Sequence, residues 1–125
     1  MKIIDLKGRT ALITGATGEL GRAMVRELAN CGANVTICFF TQEKAAKDLQ
    51  AEVEKEYGIK ATAVYADVTD YDSILKMKKQ VGEVLGNVDI IVNNSVVQYT
   101  WKSVLNQDIS DLKANLIPAL CKVFI

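Results

Sequence analysis

The sequence contains no histidine and a single proline among its 125 residues. Without histidine there is no Ser-His-Asp triad, no Cys-His pair and no imidazole-based metal site. Aromatic side chains make up only 6% of the chain, and its cysteines, Cys31, Cys38 and Cys121, are scattered without metal-ligand spacing. They fit small buried hydrophobes in a reducing compartment, so the chain is expected to be cytoplasmic and to hold no metal. Charge of neither sign prevails, because 15 basic and 15 acidic side chains leave a formal net charge of zero. That balance favours neither nucleic acid nor an anionic membrane as a partner. No apolar run approaches the roughly 18 residues needed to span a bilayer. The opening Met-Lys-Ile-Ile-Asp-Leu-Lys-Gly lacks the apolar stretch of a signal peptide.

What is present is a soluble globular composition, 50% hydrophobic and 24% charged. Its length suits one domain, residues 1–125. Strand-like and helix-like segments alternate. Thr10 to Thr14 is short, apolar and β-rich. From Glu19 to Cys31 the apolar residues Leu20, Ala23, Met24, Leu28 and Cys31 recur at helical spacing, and Gly32 stands where such a helix would stop. Val35 to Phe40 is almost wholly apolar or β-branched and predicts a strand covered on both faces. Thr41 is a candidate cap for a helix from Lys44 to Tyr57, with Gly58 ending it. Ala61 to Tyr65 predicts a third strand. Thr69 or Asp70 caps a helix with Ile74, Met77, Val81, Val84 and Leu85 inward, and Val88 to Val92 predicts a fourth strand. The alternation predicts an α/β fold of three layers: an incomplete, doubly wound parallel sheet of about four strands in the order 3-2-1-4. After residue 95 the pattern weakens, and Pro118 interrupts the apolar segment Ile109 to Phe124.

The first strand runs into Thr14-Gly15-Ala16-Thr17-Gly18-Glu19-Leu20-Gly21. Gly15 permits a tight turn, Gly18 lets the backbone approach a bound group, and Gly21 lets the helix pack closely on the strand. The helix N-terminus behind them offers amide donors and a positive dipole end, which suit a pyrophosphate. Strand, glycine turn and helix in this order predict a dinucleotide site, with a ligand-free glycine turn as the simpler alternative.

Three motifs in order then resemble the short-chain dehydrogenase/reductase family: "DLKGRTALITGATGELGRAM", "ADVTD" from Ala66 to Asp70, and "VDIIVNNS" from Val88 to Ser95. The resemblance covers residues 1–95, and residues 96–125 form an atypical tail. It implies a Rossmann-type NAD(P)-binding domain with cofactor contacts from Thr14, Gly15, Thr17, Gly18, Leu20, Gly21, Asp67, Val68, Asn93, Asn94 and Ser95. Asp67 and the Val68 backbone would meet the adenine. Asn93 and Asn94 would hold the central strands and line the cofactor path. Two departures stand out: Glu19 occupies the middle glycine of the family's TGxxxGxG, and Ser95-Val96 replaces its Ala-Gly. At the end of the second strand, an acid would hold the ribose diol of NAD and a base the 2′-phosphate of NADP. Phe39-Phe40-Thr41 stands there. The missing acid slightly favours NADP(H) over NAD(H), with Arg22 and Lys44 as phosphate partners or ordinary solvated residues.

The resembled family transfers hydride between the cofactor and a ketone or alcohol, using a tyrosine, a lysine four residues later and an upstream serine. None of the four tyrosines here qualifies: Tyr57 is followed by Ala61, Tyr65 by Thr69, Tyr71 by Leu75 and Tyr99 by Ser103. The chain stops at Ile125, before those residues would occur, so it corresponds to the N-terminal portion of such an oxidoreductase and is expected to be inactive alone. Asn115 resembles the helical asparagine of the family's proton relay, or is an ordinary helix residue. A non-catalytic dinucleotide-binding or sensing module remains the alternative. A fourth strand without a fifth beside it, together with the apolar tail, predicts self-association or a homodimer.

Overall fold

The computed structural model describes residues 4–96, 103–110 and 113. Four parallel strands form one sheet in the order β3-β2-β1-β4. They are β1 (Thr10–Ile13), β2 (Asn34–Phe39), β3 (Ala61–Tyr65) and β4 (Ile90–Val92). The helices α1 (Glu19–Asn30), α2 (Glu43–Tyr57) and α3 (Tyr71–Leu85) connect them, and a 3-10 turn covers Val104–Asn106. The four-strand parallel order agrees with the expectation from the alternation. The candidate relay asparagine Asn115, together with Tyr99 and Pro118, lies outside the described residues.

Period-two alternation sorts the strand side chains between two cores. Ala11, Ile13, Val35 and Ile37 face α1 and α2, where Val25, Ala29, Ala46, Leu49 and Val53 complete one buried cluster. Leu12, Cys38 and Val64 face the other way and pack against Ile74, Met77 and Val81 of α3. The sheet is therefore the middle of three layers. Its central strands β1 and β2 are buried on both faces, which is why they carry near-continuous apolar runs. Pairing is in register from Ala11 through Val35 to Ala61, and from Ala11 to Ile90 on the other side.

Several local expectations are revised. The buried stripe of α1 is Gly21, Val25 and Ala29, while Leu20 is 67% exposed. Gly21 must lie against the glycine turn, and that contact fixes the helix rotation and carries Leu20 and Ala23 outward. On α3, Ser73 is buried and Val84 is exposed. The N-cap of α2 is Gln42, not Thr41, and among the described residues no side chain caps it. Asp70 does cap α3, its carboxylate accepting from the Asp72 amide at 3.1 Å. Gly58 closes α2 in the left-handed conformation that glycine adopts without penalty. Among the described residues no helix is long and apolar enough to cross a membrane.

Candidate functional site

The carboxyl ends of β1, β2 and β4 meet at the glycine turn. Thr14 holds them together. Its amide donates to the Val92 carbonyl at 3.1 Å, and its hydroxyl accepts from the amides of Asn94 at 2.9 Å and Ser95 at 3.2 Å. The Asn94 side-chain amide donates to the Gly15 carbonyl at 3.2 Å, and the Ala16 amide donates to the Cys38 carbonyl at 3.3 Å. The turn is thus fixed to its neighbours on both sides before any ligand arrives.

The three glycines have different causes. Gly15 has φ +60°, and a Cβ there would stand 2.8 Å from the Asn94 carbonyl oxygen. A Cβ on Gly21 would overlap the Gly15 carbonyl and sit 2.8 Å from the Ala16 Cα. Both positions are glycine because the chain itself leaves no room. Gly18 differs. Its φ of −71° suits any residue, and among the described residues a Cβ would meet only the Gly15 oxygen at an ordinary 3.5 Å.

Gly18 is also the N-cap of α1, and among the described residues no side chain hydrogen-bonds to the helix start as a cap. The first intrahelical bond runs from the Arg22 amide to the Gly18 carbonyl at 2.9 Å. The amides of Glu19, Leu20 and Gly21 precede it and have no side-chain cap, which leaves the donor-rich, positive end of the helix open. Thr17 is half-buried beside it, and the Glu19 carboxylate is exposed in the first turn.

Of the remaining candidates, Asn94 and Ser95 lie against Thr14, whereas Asn93 is exposed. Asp67 is half-buried past β3. Its Oδ1 accepts from the Thr69 hydroxyl at 2.7 Å and the Thr69 amide at 2.9 Å. These two bonds, the hydroxyl's first, hold its carboxyl below the usual aspartate range. Its own amide donates to the Ser73 hydroxyl at 2.8 Å, so the loop is locked and Oδ2 alone is uncommitted among the described residues. Val68 packs into the α3-side core. The Asp-x-Thr pattern is a turn signal legible in sequence; the buried Ser73 that anchors the loop is not.

At the end of β2, an open depression of about 640 Å³ is lined by Thr41, Gln42, Glu43, Lys44, Ala45 and Asp48. Lys44 is exposed at the uncapped start of α2. Arg22 is half-buried, and its Nε is buried without a hydrogen-bond partner among the described residues. Next to it, Arg26 and Glu52 tie α1 to α2 through a two-pronged pair at 2.6 and 3.1 Å. Each partner stabilises the other's charge, raising the arginine and lowering the glutamate pKa.

A parallel sheet, a glycine turn at its central strand and an open helix start behind that turn define a Rossmann-type nucleotide-binding architecture. The sequence profile of the short chain dehydrogenase family matches residues 9–121, and the chain belongs to that family. It is 38% identical over 92 residues to a short chain dehydrogenase/reductase of Colletotrichum higginsianum, covering 74% of this chain and 34% of that protein. It is 34% identical over 97 residues to an NADP-dependent mannitol dehydrogenase of Aureobasidium melanogenum, covering 76% of this chain and 36% of the relative. The fold superposes with a TM-score of 0.77 on a short chain dehydrogenase from Burkholderia cenocepacia in complex with NADP. That match is at 31% identity and covers 90% of this chain and 45% of the other. The chain therefore spans about a third of the length of the curated relatives it matches.

Proposed function

We propose that this chain is the nicotinamide-dinucleotide-binding portion of a short-chain oxidoreductase and that its own activity is to bind the cofactor, with NADP(H) preferred over NAD(H). The observation that carries the reading is Gly18. The protein has room for a side chain there and carries none, at the one point where the turn faces the open start of α1. A group brought close to that backbone accounts for the missing side chain, and uncapped amides with a positive dipole end select an anionic one. The residues thus fit a pyrophosphate, with Gly15 and Gly21 shaping the turn and Thr14 with Asn94 holding it rigid.

The cofactor preference rests on the end of β2. Phe39 and Phe40 offer no carboxylate to a ribose diol, while Lys44 and the uncapped start of α2 offer positive charge to a 2′-phosphate. The mannitol dehydrogenase relative is NADP-dependent and the Burkholderia neighbour was solved with NADP, which is in keeping with this preference.

Bound nicotinamide would supply or accept the hydride in the family's reaction. The protein's part here is to bind and orient: the turn takes the phosphates, Asp67 and Val68 take the adenine, and Asn93, Asn94 and Ser95 border the path toward the nicotinamide. No tyrosine in the chain carries a lysine four residues later, so we assign no proton donor for carbonyl reduction. Calorimetric titration with NADPH and NADH, beside a carbonyl-reduction assay on the same preparation, tests the reading. NADPH binding tighter than NADH binding, without turnover, is expected. Absence of binding by both overturns it.

A further inference from the structure

We infer that Phe40, backed by Tyr65, is a stacking platform for the adenine base; the inference rests on the dinucleotide reading above. Large exposed aromatics are common singly and need no explanation. This one is paired. The Phe40 and Tyr65 rings lie 6.0 Å apart at 30°, in a stacked arrangement, and Phe39 meets the same Tyr65 edge-on at 6.2 Å. Phe40 is 59% exposed and Tyr65 50% exposed, so the group is built at the surface and left open there.

Its place in the fold gives it a use. Phe39 and Tyr65 are register partners, and the Ala66 amide donates to the Phe39 carbonyl at 2.9 Å. Phe40 and Asp67 are therefore the residues that follow directly where the paired strands end. In a doubly wound sheet a dinucleotide lies across these carboxyl ends, its pyrophosphate at the β1–α1 turn and its adenosine ribose at the end of β2. A base attached to that ribose falls over the β2 and β3 ends, next to the Phe40 ring. Tyr65 supports one side of Phe40 and fixes its tilt, so less freedom is lost when a base stacks on it. Asp67 adds direction. Its Oδ1 is held by Thr69, and Oδ2 remains to accept from an exocyclic amino group on a base lying there. A flat aromatic face beside one fixed acceptor suits an aminopurine.

The test compares the parent chain with Phe40→Ala and Phe40→Trp, each checked for an unchanged circular dichroism spectrum. Adenosine 2′,5′-bisphosphate and NADPH are titrated by calorimetry, and the adenine absorbance band is followed for the loss of intensity that stacking causes. Pyrophosphate, which has no base, is measured by displacement of NADPH. Phe40→Ala is expected to weaken both adenine ligands about tenfold and to abolish the absorbance change, with pyrophosphate affinity unaltered. Phe40→Trp is expected to restore binding and the absorbance signature. If the parent binds NADPH and Phe40→Ala binds it equally well, the platform is wrong and the dinucleotide reading stands. If the parent binds no adenine ligand, that reading fails and the platform with it.

Discussion

Asn94 and Gly15 hold each other in place across the sheet. The asparagine side chain donates to the Gly15 carbonyl at 3.2 Å, and the Asn94 backbone carbonyl occupies the space where a Gly15 side chain would go. With φ at +60°, Gly15 is constrained by its own backbone and by its neighbour. Gly15→Val is expected to destabilise the fold by about 2 kcal/mol or more and to abolish NADPH binding. Gly18→Val keeps an allowed φ and is expected to cost no more than about 1 kcal/mol, the worth of a helix cap, while also abolishing binding. Thermal denaturation alongside calorimetric titration separates the two. Normal NADPH binding by Gly18→Val would place the pyrophosphate elsewhere.

Glu19 puts a carboxylate at the helix start proposed to receive phosphate, at the position where the family pattern has glycine. Glu19→Gly is expected to move affinity and stability in opposite directions. Removing the charge and side chain strengthens NADPH binding by about 2- to 5-fold at low salt, less as salt screens the site. Glycine is a poor helix former, and in the first turn it no longer offers a negative charge to the positive end of the dipole. Together these lower stability by about 1 kcal/mol. Unchanged NADPH affinity in Glu19→Gly would show that the carboxylate points away from the phosphates.

Asp67 titrates below the usual aspartate range because the Thr69 hydroxyl, and then the Thr69 amide, bind its charged form. A carboxyl lowered on folding contributes stability that is present above the unfolded pKa and lost as pH falls through the folded pKa. Thr69→Val removes the hydroxyl and keeps the amide. The Asp67 midpoint, followed by carboxyl-carbon NMR, is expected to rise toward the ordinary value, and the acid limb of the stability profile is expected to move up with it. An unchanged midpoint would mean that the 2.7 Å hydroxyl bond does not persist in solution.

The features that follow from the chain's local chemistry are legible in the sequence; those that depend on where two segments meet are not. The strands at Thr10 and Ala61 and the stop at Gly58 follow from β-branched runs and from glycine. The glycine turn is readable because Gly15 and Gly21 answer backbone demands and Gly18 leaves the helix start without a side chain. The rotation of α1 is not, since hydrophobicity points to Leu20 while the approach of Gly21 to the Gly15 carbonyl decides the face. Thr41 has capping chemistry but sits one residue before the N-cap. The Phe40–Tyr65 pair depends on the β2–β3 register, and the Ser73 anchor on the rotation of α3. Neither carries a short-range signal.

Self-association is expected from the same topology. β4 (Ile90–Val92) pairs with β1 along one side, and among the described residues no strand lies on its other side. Ile91 is 37% exposed, and Val84 on the nearby helix is exposed too. An edge that combines unpaired backbone groups with apolar side chains is a template for another strand, and a second copy of this chain supplies one. The mean mass from light scattering is therefore expected to rise with concentration. Ile91→Lys places a charge on this edge strand, disfavours addition of another copy, and is expected to lower the mass at matched concentration. The substitution also removes a half-covered apolar side chain, so its thermal midpoint is measured in parallel to separate weaker association from weaker folding. A chain that remains monomeric at high concentration would show that the β4 edge is covered within one molecule, and the expectation would fail.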